Sequence, residues 1–154
     1  MNQIANFVQV RADGRLIPAT MAVREMLALG WGPSKVIALR WTHDGRQIEV
    51  EVSSGIHGIV VPGGNFVAAL YGEDAAGPAV DMVIFSPDGS IHGKVSSPIS
   101  ISGNDFRGAF GWFEPAMTPR MNTFGAVFQA DEQTTLRCDI DASASALIDA
   151  VKVH

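Results

Sequence analysis

The chain has 154 residues, a net charge of −5, 47% hydrophobic and 18% charged residues, and one cysteine. This length fits a single domain spanning residues 1–154, and a lone cysteine excludes an intrachain disulfide. No apolar run approaches the roughly 20 residues that cross a bilayer, and the N-terminus lacks the basic and apolar regions of a signal peptide. We therefore expect a cytoplasmic protein with no membrane segment.

The charge is distributed unevenly along the chain. Residues 1–50 contain six basic and four acidic side chains, a balance of +2, whereas residues 51–154 contain five basic and twelve acidic side chains, a balance of −7. Nucleic acid binding needs a cationic surface, so the larger part of the chain argues against a nucleic acid partner. The same negative field would attract a basic protein partner.

Three Asp-Gly dipeptides lie between apolar runs, and each predicts an antiparallel hairpin because both residues tolerate positive φ. The first pair, Asp13-Gly14, predicts a hairpin between residues 7–11 and 16–17. Pro18 follows and cannot donate to a strand ladder, so the pairing ends there or lies on a sheet edge.

One short helix is predicted near residues 20–30. Thr20 can cap its start, and Gly30 is placed to end it. The apolar face that we expect to pack on a sheet consists of Val23, Met26 and Leu27.

The second Asp-Gly pair predicts a complete strand register. A two-residue turn at Asp44-Gly45 places Arg40 opposite Glu49 on a solvent-facing side, as an ion pair worth a few tenths of a kcal/mol. The apolar pairs on the other face are Trp41 with Ile48, Leu39 with Val50 and Ile37 with Val52. A slip by one residue would bury glutamates, so this register should be firm.

The third Asp-Gly pair belongs to a longer turn that begins at Pro87. This three-residue loop predicts Phe85 opposite Ile91 and Val83 opposite Gly93. Further strands are predicted over residues 59–61, 66–71, 98–101, 106–113, 124–129 and 136–141, and residues 142–150 suit either a helical turn or a last strand.

These elements together predict a mainly β protein. We expect a single antiparallel sheet-rich domain, arranged as a hairpin meander, a sandwich or a half-barrel, with the one short helix near residues 20–30. An α+β arrangement is the alternative, since that helix must cover part of a sheet.

The sequence carries no motif for a catalytic nucleophile, a phosphate cradle or a metal centre, so neither a cofactor nor a metal is expected. His57 and His92 could converge only if two distant strands are neighbours. Asp139 and Asp141 share a strand face roughly 7 Å apart, and a solvent-facing strand explains them better than an acid/base pair. Cys138 is interpreted as a half-buried strand cysteine.

Residues 106–114 form the most unusual segment, an aromatic strand interrupted by glycines. Strand alternation puts Phe110 and Trp112 on one face and Phe113 on the other. In a thin sandwich only one of these faces can be core, so either Trp112 or Phe113 should be presented to a partner. The following loop adds Met117 and Met121, whose flexible side chains suit contact surfaces.

The leading functional hypothesis is a non-enzymatic protein-binding module, in its sharpest form an immunity or inhibitor protein that neutralises a cognate basic toxin. Acidic side chains would then match a cationic active site. The candidate contact residues are Trp112, Phe113, Glu114, Met117, Glu73, Asp74, Asp131 and Glu132.

Two alternatives remain open from the sequence. The first is a β protein that binds a small apolar ligand in a cavity lined by Trp41, Phe110 and Trp112. The second is a hydrolase that uses Asp139 and Asp141.

Overall fold

The computed structural model describes residues 3–71 and 81–153, and consecutive segments of the chain form its sheets. The first sheet contains β1 (Ala5–Arg11), β2 (Leu16–Pro18), β3 (Val36–His43) and β4 (Arg46–Glu51), in the order β2-β1-β3-β4, with helix α1 (Val23–Ala28) between β2 and β3. The second is a meander of β5 (His57–Val60), β6 (Val67–Leu70), β7 (Asp81–Phe85) and β8 (Ile91–Ser96).

A two-stranded ribbon of β9 (Ile99–Ile101) and β10 (Asn104–Phe106) leads to the third sheet. That sheet is a meander of β11 (Ala109–Glu114), β12 (Thr123–Asp131), β13 (Thr134–Asp141) and β14 (Ala146–Lys152). All pairings described are antiparallel, and 56% of the residues are in strands against 4% in helix, which confirms the mainly β prediction. Within the described ranges, no helix has the length and apolar character needed to cross a lipid bilayer.

The second sheet is the middle layer of three. Alternate side chains of β6 and β7 enter two different hydrophobic cores, because successive side chains of a strand point to opposite faces. The core shared with the third sheet receives Ala68, Leu70, Met82 and Ile84, and the core shared with the first sheet receives Val67, Ala69, Val83 and Phe85. Burial on both faces explains why β6, and β7 after its first residue Asp81, are uninterrupted apolar runs.

The hairpin of β3 and β4 has the predicted register throughout. Asp44 and Gly45 adopt φ values of 50° and 74°, and the ladder pairs Trp41 with Ile48 and Leu39 with Val50. Beyond its end, the Val52 N–H donates to the Ile37 carbonyl oxygen at 2.7 Å, as the predicted register requires. The Arg40 guanidinium meets the Glu49 carboxylate at 2.8 Å on the outer face. On the inner face, the buried Trp41 donates its indole N–H to the backbone carbonyl of Pro87 at 2.7 Å. This bond ties the second hairpin to the third.

The hairpin of β7 and β8 follows the prediction for one pair only. Phe85 lies opposite Ile91 as expected, but the next pair is Ile84 with Gly93, so the predicted pairing of Val83 with Gly93 is wrong. A bulge leaves His92 as an extra residue on β8. The His92 ring packs against Phe66 at a centroid distance of 4.8 Å, and its Nε2 lies 2.8 Å from the carbonyl oxygen of Ser143.

Helix α1 is shorter and more exposed than the sequence suggested. It spans six residues and begins after Ala22, whose N–H donates to the Glu25 carboxylate at 3.4 Å, so Thr20 is not its cap. Val23 and Leu27 are each 68% exposed, and no residue of the helix is buried. The predicted packing of its apolar face on a sheet is therefore wrong, because the helix lies in the connection between β2 and β3 rather than over a core.

The predicted aromatic strand of residues 106–113 is divided. Phe106 ends β10, and Ala109 begins β11 after a break at residues 107–108. The ambiguous segment after residue 142 forms β14, a strand that pairs with β13.

Candidate functional site

A bulge in β11 decides which aromatic side chain reaches the surface. Phe110 pairs with Phe128 and Trp112 pairs with Val127, so Gly111 is an extra residue on β11. The alternation of side chains restarts after this bulge. Phe110 is therefore fully buried, whereas Trp112 is 50% exposed. The prediction that these two residues share a face is wrong.

Phe113 faces the core instead of the solvent. It packs against the core between the second and third sheets, edge-on to Phe124 at a ring distance of 5.8 Å. Its other neighbour is the His57 ring at 5.5 Å, at the start of β5. Of the two aromatic residues proposed from the sequence, Trp112 is the one presented to solvent.

Glu114 ends β11 next to Trp112. Its carboxylate accepts a hydrogen bond from the Trp112 indole N–H at 2.9 Å, on the exposed side of the strand. This bond fixes the orientation of both side chains. A negative charge is thereby held beside an exposed aromatic ring.

Met117 belongs to the 115–122 loop, which crosses the outer face of the third sheet. A carboxylate beneath the loop holds it: Asp139 is 3% exposed and accepts the backbone N–H groups of Met117 at 2.7 Å and Thr118 at 2.9 Å. The Arg137 guanidinium adds a hydrogen bond to the carbonyl oxygen of Pro115 at 3.0 Å. The loop is thus fixed to the sheet through its backbone, and the Met117 side chain remains half-buried beside Trp112 and Glu114.

These contacts correct the solvent-facing interpretation of Asp139. Asp141, two residues on, accepts hydrogen bonds from the hydroxyl and the backbone N–H of Ser143 at 2.6 and 2.9 Å. The hydroxyl bond holds the pKa of Asp141 below its usual value. One carboxylate anchors a loop and the other closes a turn, an arrangement that does not resemble the acid and base of a hydrolase.

Cys138 lies on β13 as expected but is fully rather than half buried. Burial raises the pKa of its thiol to about 12, and the neighbouring Asp139 carboxylate adds to the shift. A thiol with such a high pKa is a poor nucleophile.

An apolar groove opens between β5 and β11, the edge strands of the second and third sheets. It encloses about 320 Å³. Its lining consists of Ile59, Val60, Pro62, Phe113, Glu114, Pro115, Ala116 and Phe124. We call this feature the β5–β11 groove. Met121 is 72% exposed and lies close to the groove. Its Cγ would be only 3.0 Å from a Cβ built on Gly63, the residue that follows Pro62 of the lining.

The sequence interpretation missed the half of the groove that comes from β5. Ile59 and Val60 appeared only as a short apolar strand, and nothing local indicates that they line a groove shared with β11, about fifty residues away. Phe113 and Glu114 were identified, and they form the opposite side.

The acidic candidates do not join this group. Asp131 and Glu132 are exposed at the turn between β12 and β13, roughly 20 Å along the strand from Gly125, the partner of Glu114 in the ladder. Asp131 is engaged locally, since its carboxylate accepts the N–H of Gln133 at 2.8 Å. This bond holds the pKa of Asp131 below its usual value. Glu73 and Asp74 lie outside the described residues.

The remaining candidates are also separated. His57 and His92 lie on opposite edge strands of the second sheet. In residues 3–71 and 81–153, no group of three or more His, Cys, Asp or Glu side chains is placed to hold a metal ion. Trp41 and Phe110 are buried in two different cores and Trp112 is exposed, so these three do not line one cavity.

The fold and the groove define a class: a three-layer antiparallel β protein with an apolar cleft between two edge strands. No protein-family model matches the chain, and no curated protein does. A chain in the solved structure of Tne2 in complex with Tni2 is 30% identical in sequence and superposes with a TM-score of 0.91, covering 98% of this chain and 99% of that one. The protein therefore belongs to the same family as that chain of the Tne2–Tni2 complex.

Proposed function

We propose that the protein is a non-enzymatic binding module of one domain, an immunity or inhibitor protein that neutralises a basic toxin by covering its functional site. The observation that carries this proposal is that a member of its family is found in a complex of two different proteins, Tne2 and Tni2. A fold shared over nearly the whole of both chains supports a shared way of working, which is association with another protein.

The charge of the chain supports a basic partner. Residues 51–154 carry a balance of −7, and the strands of the second and third sheets, which border the β5–β11 groove, belong to this part of the chain. An acidic surface speeds the encounter with a cationic partner and suppresses binding to nucleic acid or an anionic membrane. We propose a cytoplasmic site of action, where the free Cys138 stays reduced.

The proposed contact surface is centred on the end of β11. Trp112 is half exposed and held by Glu114, and the 115–122 loop beside them presents Met117 from a fixed backbone. Aromatic side chains in such settings supply a large share of the binding energy of protein interfaces. A surface whose backbone is already ordered also loses less entropy on binding.

The first experiment identifies the partner and its effect. The tagged protein is purified from its native host at low and at high salt, and any stoichiometric partner is expressed in bacteria with and without this chain. We expect a basic partner that is retained better at low salt, that arrests growth alone and that is neutralised by co-expression. Absence of a stoichiometric protein at low salt, or a partner that does not affect growth, would contradict the proposal.

Variants then test the contact surface. Trp112→Ala should weaken binding at least about tenfold, and Glu114→Gln should reduce its dependence on salt. Leu27→Ala is a matched control, because Leu27 is also an exposed apolar residue, 68% against 50% for Trp112, and lies on α1. Equal losses in the Trp112 and Leu27 variants would place the contact elsewhere.

A second candidate function is binding of a small apolar ligand, which the volume and apolar lining of the β5–β11 groove favour. Titration with a panel of apolar fluorescent dyes tests it. A dye that binds the wild type and is excluded by Ala116→Phe would support this role, whereas no binding would remove it.

A further inference from the structure

The β5–β11 groove lies where two sheets expose their edge strands on the same side of the molecule. The edge of β5 is partly occupied, since the Gln9 side-chain carbonyl accepts the Gly58 N–H at 3.2 Å. In the described part of the chain, the backbone of β11 is hydrogen-bonded to β12 and to no other strand. An edge of this kind is a template for one more strand.

The groove is positioned to receive side chains from a strand added to β11. A strand that pairs with β11 would lie about 4.8 Å from it, and its side chains would alternate between the two faces of the third sheet. Those pointing inward would enter the groove, against Ile59, whose side chain packs on the core between the second and third sheets. Those pointing outward would lie beside Trp112, which is exposed on that face.

A charge at the rim of the groove indicates what the added segment carries. Of the residues that line it, Glu114 is the only one with a charged side chain. The carboxylate of Glu114 is held on the outer side of β11 by the Trp112 indole N–H, at the rim of the groove. The complementary segment is therefore apolar where it enters the groove and positive where it passes Glu114.

The wall of the groove on the β11 side is fixed independently of any partner. Pro115 and Ala116 form part of this wall, and the loop that contains them is held by Arg137 and Asp139 through backbone atoms. A groove that keeps its shape in the free protein does not have to be ordered at the moment of binding, which favours affinity.

We propose that the β5–β11 groove receives an extended segment of the protein partner, which adds to β11 as an edge strand, inserts an apolar side chain into the groove and places a Lys or Arg beside Glu114. The inference rests on the proposed function for the existence of a protein partner. It adds the mode of recognition: main-chain pairing gives affinity, and the groove and the carboxylate give specificity.

The test uses a phage-displayed library of random dodecapeptides, selected on the wild-type protein. We expect enriched sequences with apolar residues at alternate positions and a nearby Lys or Arg. Selected peptides are then titrated against four variants. Ala116→Phe and Ile59→Phe fill the groove from its two walls, and Glu114→Gln removes the charge. Leu27→Ala is the control, since Leu27 lies on α1 and does not line the groove.

Each variant has a distinct expected result. Both groove-filling variants should bind the peptides at least about tenfold more weakly while melting no lower than the wild type by more than a few degrees. Glu114→Gln should lose the preference for a basic residue, and Leu27→Ala should bind like the wild type. Because both groove-filling variants must show weaker peptide binding, misfolding of one variant alone cannot produce the expected result.

Two results would overturn the inference: no enrichment on the wild type, or peptides that bind the groove-filling variants as tightly as the wild type. Dye binding in the groove without peptide enrichment would assign it to a small apolar ligand instead. Failure of the proposed function is a separate result. If the peptides require the groove but the captured partner is harmless to cells, the proposed docking mode stands and the proposed role in immunity is wrong.

Discussion

Gly125 lies on β12 where the 115–122 loop begins to cross the third sheet. A Cβ built at this position would lie 2.6 Å from the carbonyl oxygen of Pro115 and 2.7 Å from that of Glu114. Both are backbone atoms, so no side-chain rotation can relieve the contact. Gly125→Ala must therefore push the loop away from the sheet or shift β12, and the loop is also a wall of the β5–β11 groove.

The size of the effect can be estimated from overpacking. Adding a methyl group to a tightly packed site costs about 1–3 kcal/mol, and 1 kcal/mol moves the melting temperature of a chain this long by about 2–4 °C. We expect Gly125→Ala to melt about 2–12 °C below the wild type. Gly111→Ala is the matched control on the neighbouring strand, because a Cβ there meets nothing closer than the Val127 carbonyl oxygen at 3.9 Å.

Thermal unfolding followed by circular dichroism measures the difference between the two variants. Amide hydrogen exchange of Met117 and Thr118 reports on the loop itself, because their N–H groups are bonded to Asp139. In Gly125→Ala these two amides should exchange faster, while in Gly111→Ala they should keep their protection. If both variants melt together and both amides stay protected, the loop is not seated on Gly125 and the reasoning fails.

Four further predictions follow from single contacts. Asp139→Asn should destabilise by about 1–3 kcal/mol in denaturant unfolding, since each carboxylate oxygen accepts a different N–H group and the amide NH2 that replaces one of them is a donor; an unchanged midpoint would contradict this. Gly45→Val should melt several degrees lower than Gly32→Val, because both sites are open but only Gly45 has positive φ, +74°; equal melting would disprove the turn assignment. Burial raises the pKa of Cys138 from 9.0 to about 12, so the unfolded chain loses this proton first and stability falls as pH rises above 9. The wild type should therefore lose more stability than Cys138→Ala between pH 8 and about 10 in urea titrations; parallel losses would refute this. Arg40→Gln should shift the melting temperature by no more than a few degrees, as its ion pair is partly exposed; a larger shift would show that the pair matters more than its exposure implies.

Predictions succeeded where all the determinants of a feature lie close together in the chain. The β3–β4 hairpin is the clearest case, because the φ preferences of Asp44 and Gly45 and the alternation of the flanking residues point to the same register. Turn chemistry and side-chain pattern are both local. They also agreed on the first pair of the third hairpin, Phe85 with Ile91.

Predictions failed where a distant contact alters the local pattern. The bulge at His92 changes the register of β8, and the neighbours of its ring and its Nε2 are Phe66 and Ser143, which are remote in the sequence. The bulge at Gly111 likewise separates Phe110 from Trp112. In both cases strict alternation of side chains was a reasonable expectation. One inserted residue then reversed the predicted face of every residue beyond it in the strand.

The candidate site could be predicted only in part for the same reason. The aromatic strand and its loop drew attention by composition, so Trp112, Phe113, Glu114 and Met117 were found. The groove beside them requires β5, and its position depends on how two sheets pack. Burial of Asp139 also depends on the loop that folds over it, which the alternation of Asp139, Ile140 and Asp141 cannot indicate.

The three-layer arrangement limits where a partner can bind on a sheet. Both faces of the second sheet are used in the two cores, so only the outer faces of the first and third sheets remain. The first carries the Arg40–Glu49 ion pair, which suits contact with water. The third carries a row formed by the aligned residues Trp112, Val127, Arg137 and Val151.

The ends of that row are exposed apolar side chains, Trp112 at 50% and Val151 at 46%. Trp112 begins the row on β11, the same edge strand that borders the β5–β11 groove. A partner strand added to β11 would therefore extend the row by one residue on the outer face and fill the groove on the inner face. The edge of β11 is the position from which one extended segment can cover both surfaces, and this is the physical reason to place the partner there rather than on α1.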